Sequence, residues 1–407
     1  MRDRARRVLS QCARIAAFTE EPGRITRGFL TPPVQDVHAH LSARMEAMNM
    51  TTRVDAAGNL RGLWRPAGAS GKRLLIGSHI DTVPNAGAYD GVLGVTLALE
   101  WATMAQDRKL PVPIEVIAFS EEEGVRYGVP FLGSRAVAGT FDPALLKLRD
   151  ENGVTLEDAI RGFGLDPDRI ADEALDDDVL GFLEIHIEQG PVLEAEDLSV
   201  AVVEGIAGQT RMELRFDGYA NHAGTTPMNM RRDALAAAAE WMVEVETTAR
   251  ARDGLVATVG RIAAEPGASN VIPGSVTVTL DVRHLNDRIR TRVAKELAAS
   301  AAAIADERGV LVAWTTKLDQ PSVRMDDGLT ALLLSAVDDA GFPAKTMASG
   351  AGHDAMVMAA RVPTAMMFLR SPGGISHHPA EAVREEDVEA ALKVGVKFLE
   401  RLAAQVR

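Results

Sequence analysis

Residues 73–209 alternate short apolar runs with segments of helical periodicity, and this alternation limits the possible fold more than any other feature of the sequence. The runs 74–76, 114–119 and 182–187 are apolar enough to be strands buried on both faces. Between the first two, residues 91–108 have apolar side chains at helical spacing. Because strands that alternate with helices usually form a mostly parallel sheet, we predict an α/β fold with a mixed, mostly parallel central sheet.

The pattern changes after Gly208, where residues 211–216 alternate apolar and polar side chains, as a strand with one solvated face does. The next predicted elements have the order βαββαβ: they are that strand, a helix at 232–252, strands at 255–262 and 275–283, a helix at 288–307 and a strand at 310–314. After Pro321 the parallel-sheet pattern returns, with a helix at 329–340 and a strand at 364–368. We therefore predict a larger domain of residues 1–208 and 322–407, interrupted by a smaller domain of residues 209–321.

Composition excludes several classes of partner. The chain has 407 residues, with 44 Lys and Arg against 57 Asp and Glu, so its net charge is −13. Such a charge repels nucleic acid and anionic membranes, and no stretch reaches the roughly 20 apolar residues that span a bilayer. The single cysteine, Cys12, rules out an internal disulfide and a cysteine-rich metal cluster. We expect a cytoplasmic protein that binds neither nucleic acid nor membrane.

Histidines and carboxylates accumulate where the predicted strands end, which is where ligand sites of α/β sheets lie. Of the nine histidines, only His38 and His40 lie in an N-terminal helix. The other seven lie at strand ends or in glycine-rich segments: His79, His186, His222, His284, His353, His377 and His378. An isolated buried histidine is usually only a hydrogen-bonded part of the core, but this accumulation indicates a site.

Two segments have the pattern of a metal site. In His79-Ile80-Asp81 the carboxylate can accept from one imidazole nitrogen and so present the other nitrogen to a metal, and Asp90 could bridge two ions. Glu121-Glu122-Glu123 follows a buried strand. Three consecutive acids are commonly a solvated loop, but here one carboxylate could bind a metal while its neighbour acts as a base. These nitrogen and oxygen donors suit Zn²⁺ or Mn²⁺, and two such ions beside a free carboxylate indicate hydrolysis.

The chain resembles the di-zinc M20 metallopeptidase superfamily and, within it, the amidase/hydantoinase/carbamoylase branch. The resemblance runs from about Gly77 to Glu381 and rests on motifs that occur in the family's order. These are GSHIDTVPNAG with AYDG, EEEGVRYG, HIEQGPVLE, NHAGTTPM, SNVIPG, DVRH, SGAGHDA and GISHHPAE. Each motif alone is weak evidence, but the ordered set is specific.

The resemblance implies two divalent metal ions per subunit, Zn²⁺ or alternatively Mn²⁺. Its implied ligands are His79, Asp90, Glu123, His186 and His377, with Asp90 bridging the ions. The family's Glu-Glu-Gly pattern makes Glu122 the general base, while a shift by one residue would move that role to Glu121. His378 is the alternative to His377, although the family pattern places the ligand first. Asp81 and His353 are expected to contact the side chains that bind the metals without binding the metals themselves.

The resemblance also implies that residues 1–208 and 322–407 form the catalytic domain with the two metals, and that residues 209–321 form a lid and dimerisation domain in a homodimer. His222 would act in catalysis by stabilising the developing oxyanion in the neighbouring subunit's site, together with Asn270. Arg283 would bind a substrate carboxylate, with a surface ion pair as the alternative, and Gln189 would orient the amide or ureido group.

The implied activity is metal-dependent cleavage of the C–N bond of a linear ureido or N-carbamoyl group on a small carboxylate. The segments 349–354 and 205–209 favour allantoate over an N-carbamoyl-L-amino acid. The alternatives are a dipeptidase or aminoacylase with the same metal core, and a catalytically silent binding or scaffold protein. A dinucleotide-dependent enzyme is disfavoured because no Gly-x-Gly-x-x-Gly links a predicted strand to a helix.

Overall fold

The computed structural model describes residues 1–69 and 71–405. The chain divides into two units, which we call unit 1 and unit 2. Unit 1 comprises residues Met1–Glu204 and Met325–Arg407, and unit 2 comprises residues Gly205–Arg324. Unit 2 is therefore an insertion in the sequence of unit 1. The lid and dimerisation role of the inserted residues stays a prediction.

The first segment of unit 1 contains six helices and the first six strands of the described chain. In order they are α1 (Arg2–Ala16), α2 (Pro32–Ala47), β1 (Thr51–Val54), β2 (Leu60–Trp64), β3 (Arg73–His79), α3 (Val92–Asp107), β4 (Ile114–Phe119), α4 (Leu132–Ala138), α5 (Leu156–Gly162), β5 (Val179–Ile187), α6 (Val192–Ala195) and β6 (Val200–Ile206). Short 3₁₀ helices at Pro143–Lys147 and Pro167–Glu173 flank α5. Residues 140–178 therefore contain one short α-helix, two 3₁₀ helices and the loops that connect them.

The elements of unit 2 come next in the sequence. They are β7 (Gly208–Asp217), β8 (Asn221–His222), a 3₁₀ turn (Met228–Met230), α7 (Ala234–Arg250), β9 (Val256–Thr258), β10 (Ile262–Glu265), β11 (Val271–Ile272), β12 (Ser275–His284), α8 (Asp287–Glu307), β13 (Leu311–Gln320) and β14 (Val323–Arg324). The chain then returns to unit 1 with α9 (Asp327–Asp339), β15 (Thr346–Ser349), α10 (Asp354–Met358), β16 (Thr364–Leu369), a 3₁₀ turn (Pro372–Gly374) and α11 (Glu385–Gln405).

The large sheet has the order β1-β2-β4-β3-β5-β16-β6-β14, and β15 also pairs with β6. Its four inner strands β4, β3, β5 and β16 are parallel, whereas β1, β2, β6 and β14 pair antiparallel at its flanks. Every residue of β3, β4 and β16 is buried, as strands covered on both faces should be. The predicted fold class is therefore confirmed. Because β3, β4, β5 and β16 are parallel, the residues that follow them meet at one edge of the sheet.

The loop after β3 leads directly into the buried helix α3. Thirteen of its sixteen residues are buried, and it packs against β3, β5, α1 and α11. The helix begins after Gly91, whose φ of +65° lies in the left-handed region that favours glycine. The residue before this glycine, Asp90, is thus held at the point where the loop after β3 enters the buried helix.

Unit 2 is an antiparallel sheet with two helices. Its order is β10-β12-β7-β13, with β9 also pairing with β12, while β8 and β11 form a separate two-stranded ribbon. Helices α7 and α8 bury apolar residues of β7 and β12, and Asp233 and Asn286 cap their N-termini. The strand predicted at 255–262 is divided into β9 and β10. Between them the register against β12 shifts by one residue, which is the signature of a β-bulge.

Candidate active site

His79 and His186 present their Nε2 atoms to each other at the carboxyl edge of the parallel strands. The Nδ1 atom of His79 donates to the carbonyl oxygen of Asp81 at 3.0 Å, and that of His186 donates to the carbonyl oxygen of Ile187 at 2.9 Å. Each neutral ring therefore carries its proton on Nδ1 and has a lone pair on Nε2. The two Nε2 atoms lie 3.5 Å apart, and both side chains are 1% exposed.

The Asp90 carboxylate lies among three imidazole rings. Its Oδ1 is 3.0 Å from Nε2 of His186 and 3.5 Å from Nε2 of His79, and its Oδ2 is 3.2 Å from Nε2 of His377. Gln189 Nε2 and Ser376 Oγ donate to the same Oδ2 at 3.0 and 2.9 Å, which fixes the plane of the carboxylate. Asp90 thus faces one pair of histidines with one oxygen and a third histidine with the other.

Two further carboxylates reach this cluster from the loop after β4. The Asp81 carboxylate accepts from the backbone N–H groups of Glu122 and Glu123, each at 3.1 Å, and so holds this turn against the end of β3. Glu123 Oε1 lies 3.5 Å from Nε2 of His377. Potential ligand atoms of His79, Glu122 and Glu123 lie within 4.8 Å of one another. The sequence predicted that the Asp81 carboxylate accepts from His79, but the backbone carbonyl oxygen of Asp81 does so at 3.0 Å, while carboxylate Oδ1 lies 3.6 Å from Nδ1. The carboxylate instead positions both glutamates.

The neighbouring residues Glu121 and His378 have other partners. Glu121 has a φ of +51°, and its Oε1 accepts from the backbone N–H groups of Arg126 and Tyr127 at 3.0 and 3.4 Å. His378 is exposed, and its Nδ1 accepts from the backbone N–H of Ala380 at 3.1 Å. Glu122, Glu123 and His377 therefore lie in the cluster. Glu121 and His378, which the sequence left as alternatives, make their hydrogen bonds elsewhere.

Burial and neighbouring charges shift the pKa values of this cluster. Burial raises the pKa of Glu123 to about 7, with Asp90 adding to the effect, and burial also raises the pKa of Glu122 well above its usual value. Burial alone would lower the pKa of His79, but hydrogen bonds to Asp81 and Asp90 raise it well above the usual value. Anions and imidazole lone pairs that converge in a buried space repel one another unless a positive charge lies between them.

These donors fit a divalent metal. Three groups of ligand atoms could each hold an ion, namely His79/Asp90/His186, His79/Glu122/Glu123 and Asp90/Glu123/His377, and Asp90 belongs to two of them. Imidazole nitrogens and carboxylate oxygens suit borderline metals such as zinc and manganese. The only thiol of the chain, Cys12, is buried against Thr96 and is not in these groups. The residues present therefore fit a divalent metal ion.

Other buried polar groups surround the cluster. His353 lies behind His186, with ring centroids 4.5 Å apart, and its Nε2 is 3.1 Å from Ser349 Oγ. Glu184 accepts from Ser78 Oγ at 2.8 Å and from the backbone N–H of Ala355 at 2.7 Å, which joins β3, β5 and α10. Sequence reasoning assigned no role to Glu184. Its place in a strand beside His186 was the available signal.

Glu381 and Ser376 are two more residues that sequence reasoning did not single out. Both lie in the quoted segment GISHHPAE, but only its histidines drew attention. Ser376 donates to Asp90, as described above, and Glu381 accepts from the backbone N–H groups of Tyr89 and Asp90. These contacts join residues almost 300 positions apart in the sequence, so no local pattern could have indicated them.

Three predicted site residues belong to unit 2. His222 is exposed on the β8–β11 ribbon, and its Nδ1 accepts from the backbone N–H of Gly224 at 3.0 Å. Asn270 is exposed next to β11, and its backbone carbonyl oxygen accepts from the backbone N–H of Ala223. Arg283, near the end of β12, donates through Nε and Nη2 to the two carboxylate oxygens of Asp281, each at 2.9 Å. Their roles toward a substrate stay predictions.

Histidines and carboxylates that converge at the carboxyl edge of a parallel sheet form a site of the kind that metal-dependent hydrolases use. The chain belongs to peptidase family M20/M25/M40, whose model matches residues 75–404. The predicted family is thereby confirmed.

The relatives agree with this assignment. A probable allantoate deiminase of Oryza sativa subsp. japonica is 37% identical over 96% of this chain and 87% of its own length. An N-carbamoyl-L-amino acid amidohydrolase of Geobacillus stearothermophilus is 38% identical over 91% of this chain and 92% of its own. The crystal structure of an amidase of the hydantoinase/carbamoylase family from Burkholderia multivorans superimposes with a TM-score of 0.92 at 31% identity, covering 98% of this chain and 97% of that one.

Proposed function

We propose that the protein is a metal-dependent amidohydrolase that cleaves the C–N bond of a linear ureido or N-carbamoyl group on a small carboxylate. The observation that carries the proposal is Asp90, whose two oxygens face His79 and His186 on one side and His377 on the other, with Glu122 close by. The names of the relatives add allantoate and N-carbamoyl-L-amino acids as the candidate substrates.

Two divalent ions, Zn²⁺ or alternatively Mn²⁺, are the proposed cofactors. His79 and His186 would hold one ion, Glu123 and His377 the other, and Asp90 both. The chemistry that such ions supply when bound is a lower pKa for a water molecule and polarisation of the carbonyl group.

Glu122 is the proposed general base. It would take a proton from the attacking water while the water oxygen bonds to the carbonyl carbon. It would then deliver that proton to the leaving nitrogen as the C–N bond breaks. Two hydrogen bonds from backbone N–H groups to Asp81 fix the turn that carries Glu122 and Glu123, so the base and the adjacent ligand keep separate positions.

Four side chains are proposed to bind the substrate. Gln189 donates to Asp90 and Ser376, while its buried Oε1 has no hydrogen-bond partner among the described residues and could accept from a ureido N–H. His222 accepts at Nδ1, so its neutral ring carries a proton on Nε2, which is the donor that a developing oxyanion needs.

Asn270 would assist His222 because the pairing of β8 with β11 places the two residues in one ribbon. Arg283 would bind the substrate carboxylate through its guanidinium group, which two hydrogen bonds to Asp281 orient.

We further propose a homodimer in which unit 2 mediates dimerisation and completes the neighbouring subunit's site. No helix in the described part of the chain is long and apolar enough to cross a membrane. A cytoplasmic location is also proposed, on the basis of the cysteine content. Light scattering at micromolar protein concentration tests the dimer, and a monomer there would contradict the sharing of sites.

The activity is tested by ammonia release from the Zn²⁺- or Mn²⁺-reconstituted protein. The substrates are allantoate, a panel of N-carbamoyl-L-amino acids and several dipeptides, the last followed as free amino acid. Release from allantoate or from the carbamoyl panel supports the proposal and identifies the substrate. Cleavage of dipeptides alone would move the protein to the peptidase branch. No turnover by metal-loaded protein would favour a silent binding protein.

A further inference from the structure

Glu381 connects two segments of the candidate metal centre. It follows His377 by four residues, and its own backbone N–H donates to the carbonyl oxygen of His378 at 3.0 Å. Its side-chain Oε1 accepts from the backbone N–H of Tyr89 at 2.8 Å and from that of Asp90 at 3.0 Å. One carboxylate oxygen therefore ties the loop that carries His377 to the turn that carries Asp90.

The space around this carboxylate is closely fitted. Glu381 is 6% exposed, and a Cβ atom at Gly87 would lie 2.4 Å from both Cβ and Oε1 of Glu381. Only a glycine at position 87 lets the side chain approach the turn so closely. The close approach of Glu381 to the turn requires Gly87 and buries a carboxylate. The hydrogen bonds of Glu381 to the Asp90 turn are therefore a specific buried contact and not an incidental surface contact.

Asp90 depends on the position of its own backbone. Its Oδ2 is already held by Gln189 and Ser376, while Oδ1 lies between His79 and His186. With the oxygens fixed in this way, a rotation of the peptide before Asp90 would turn the carboxylate away from one set of nitrogens. The hydrogen bonds to Glu381 restrain that peptide and its neighbour.

We propose that Glu381 is a positioning residue that joins the Asp90 turn to the His377 loop and thereby sets the affinity of the centre for divalent metal. The inference rests on the proposed function, because it assumes that Asp90 and His377 bind metal. Glu381 contacts neither the substrate nor the metal in this role. Its loss should therefore weaken metal binding by a larger factor than it destabilises the metal-free protein.

The experiment compares Glu381→Ala and Glu381→Gln with the parent and with a matched control. Glu188 is suited to the control because it too is buried and accepts from two consecutive backbone N–H groups, those of Val192 and Leu193, at 2.7 and 2.9 Å. It differs in holding the start of α6 instead of the Asp90 turn. Zn²⁺ affinity is measured by competition with a chromophoric chelator, and melting temperature is measured with and without Zn²⁺.

Glu381→Ala should lower Zn²⁺ affinity roughly 10–100-fold, the range found when residues behind a metal ligand are removed. It should also reduce the rise in melting temperature that Zn²⁺ produces. Glu381→Gln retains an oxygen that can accept from both N–H groups, so it should restore most of the affinity. Glu188→Ala should lower the melting temperature of the metal-free protein and leave the Zn²⁺-dependent rise unchanged.

Parental Zn²⁺ affinity in Glu381→Ala would overturn the proposal, as would an equal loss in Glu188→Ala or a parent that binds no Zn²⁺. If Glu381→Ala does not fold, the decision rests on Glu381→Gln, in which parental affinity supports the proposal and an affinity as weak as that of His377→Ala contradicts it. If the parent binds Zn²⁺ but hydrolyses no ureido compound, the proposed function fails while the affinity comparison still decides the role of Glu381.

Discussion

The buried ion pairs of Glu115 allow a quantitative prediction about the sheet that carries the site. Glu115 in β4 accepts from Nε of Arg61 in β2 and from Nε of Arg73 in β3, each at 2.6 Å, and all three residues are buried. Glu115→Gln removes the negative charge of the carboxylate that both guanidinium groups contact. Arg73 also donates to Asp176 and Asp178, so it keeps part of its compensation.

The expected cost follows from the burial of these charges. Breaking a buried ion pair by removing one partner typically costs about 3–5 kcal/mol, because the remaining charge stays out of water. The control is Glu157→Gln, since the pair of Glu157 with Arg161 on α5 is about half exposed and should contribute at most about 0.5 kcal/mol. The two variants make the same chemical change in opposite environments.

The assay is amide hydrogen exchange of β2, β3 and β4 in the metal-free protein, which reports the free energy of opening this part of the sheet. A loss of about 3–5 kcal/mol should speed exchange there by roughly two to nearly four orders of magnitude, at 1.4 kcal/mol per factor of ten. A difference below about 1 kcal/mol at pH 7 would refute the reasoning, because it would mean that the pair is not effectively buried.

The pH dependence provides a second test. Burial would raise the pKa of Glu115, but Arg61 and Arg73 lower it below its usual value of 4.5. A group whose pKa is lower in the folded state stabilises the protein above its unfolded pKa and loses that effect as the pH falls through its folded pKa. The difference between parent and Glu115→Gln should therefore shrink below about pH 4.5. A constant difference down to strongly acidic pH would contradict the pKa assignment.

Three further predictions concern the site and its support. Glu122→Gln should keep bound Zn²⁺ and lose roughly 10²–10⁴-fold in turnover, measured by ammonia release. Glu121→Gln should retain most turnover, and the reverse result would exchange the roles of these two residues. His377→Ala should lower the metal content per subunit after gel filtration while His378→Ala does not, and equal contents would remove His377 from the ligands. Arg27→Met should cost about 3 kcal/mol in metal-free unfolding, since it removes the hydrogen bonds of a buried guanidinium to the carbonyl oxygens of Ile15, Phe18 and Ile80; a cost below about 1 kcal/mol would show that water replaces it.

The sequence predicted the fold class because its clearest signals are strong and local. The apolar runs at 74–76, 114–119 and 182–187 became β3, β4 and β5. The flanking strands were missed where burial is mixed or the strand is very short, as in β1 and β14. The bulge that divides β9 from β10 depends on pairing with β12, which is a tertiary property that no local period contains.

The candidate site follows the same division. Five site residues lie in or next to apolar strands or helices: His79, Asp90, Glu122, Glu123 and His186. Because the ends of parallel strands meet at one edge of the sheet, the convergence of these residues could be inferred from the sequence.

The supporting contacts could not be inferred in this way. The preference for Glu122 over Glu121 came from the family resemblance, whereas the hydrogen bond that holds the Glu122 backbone to Asp81 is visible only in the folded structure. Glu381 and Ser376 reach Asp90 across most of the chain, which only the folded structure brings together.

The position of β16 between β5 and β6 has a consequence for how the chain is made. The ribosome synthesises β5 and β6 first, then the rest of unit 2, and only afterwards β16. β5 and β6 therefore leave the ribosome long before β16. Until β16 arrives, the edges of β5 and β6 that it will join lack a partner, and such edges are sites of aggregation. Unit 2, which is continuous in sequence, can fold during this interval. The segment that is synthesised after unit 2 therefore completes the sheet and brings His377 to the candidate site, so a chain truncated before β16 should depend on chaperones and lack the His377 side of that site.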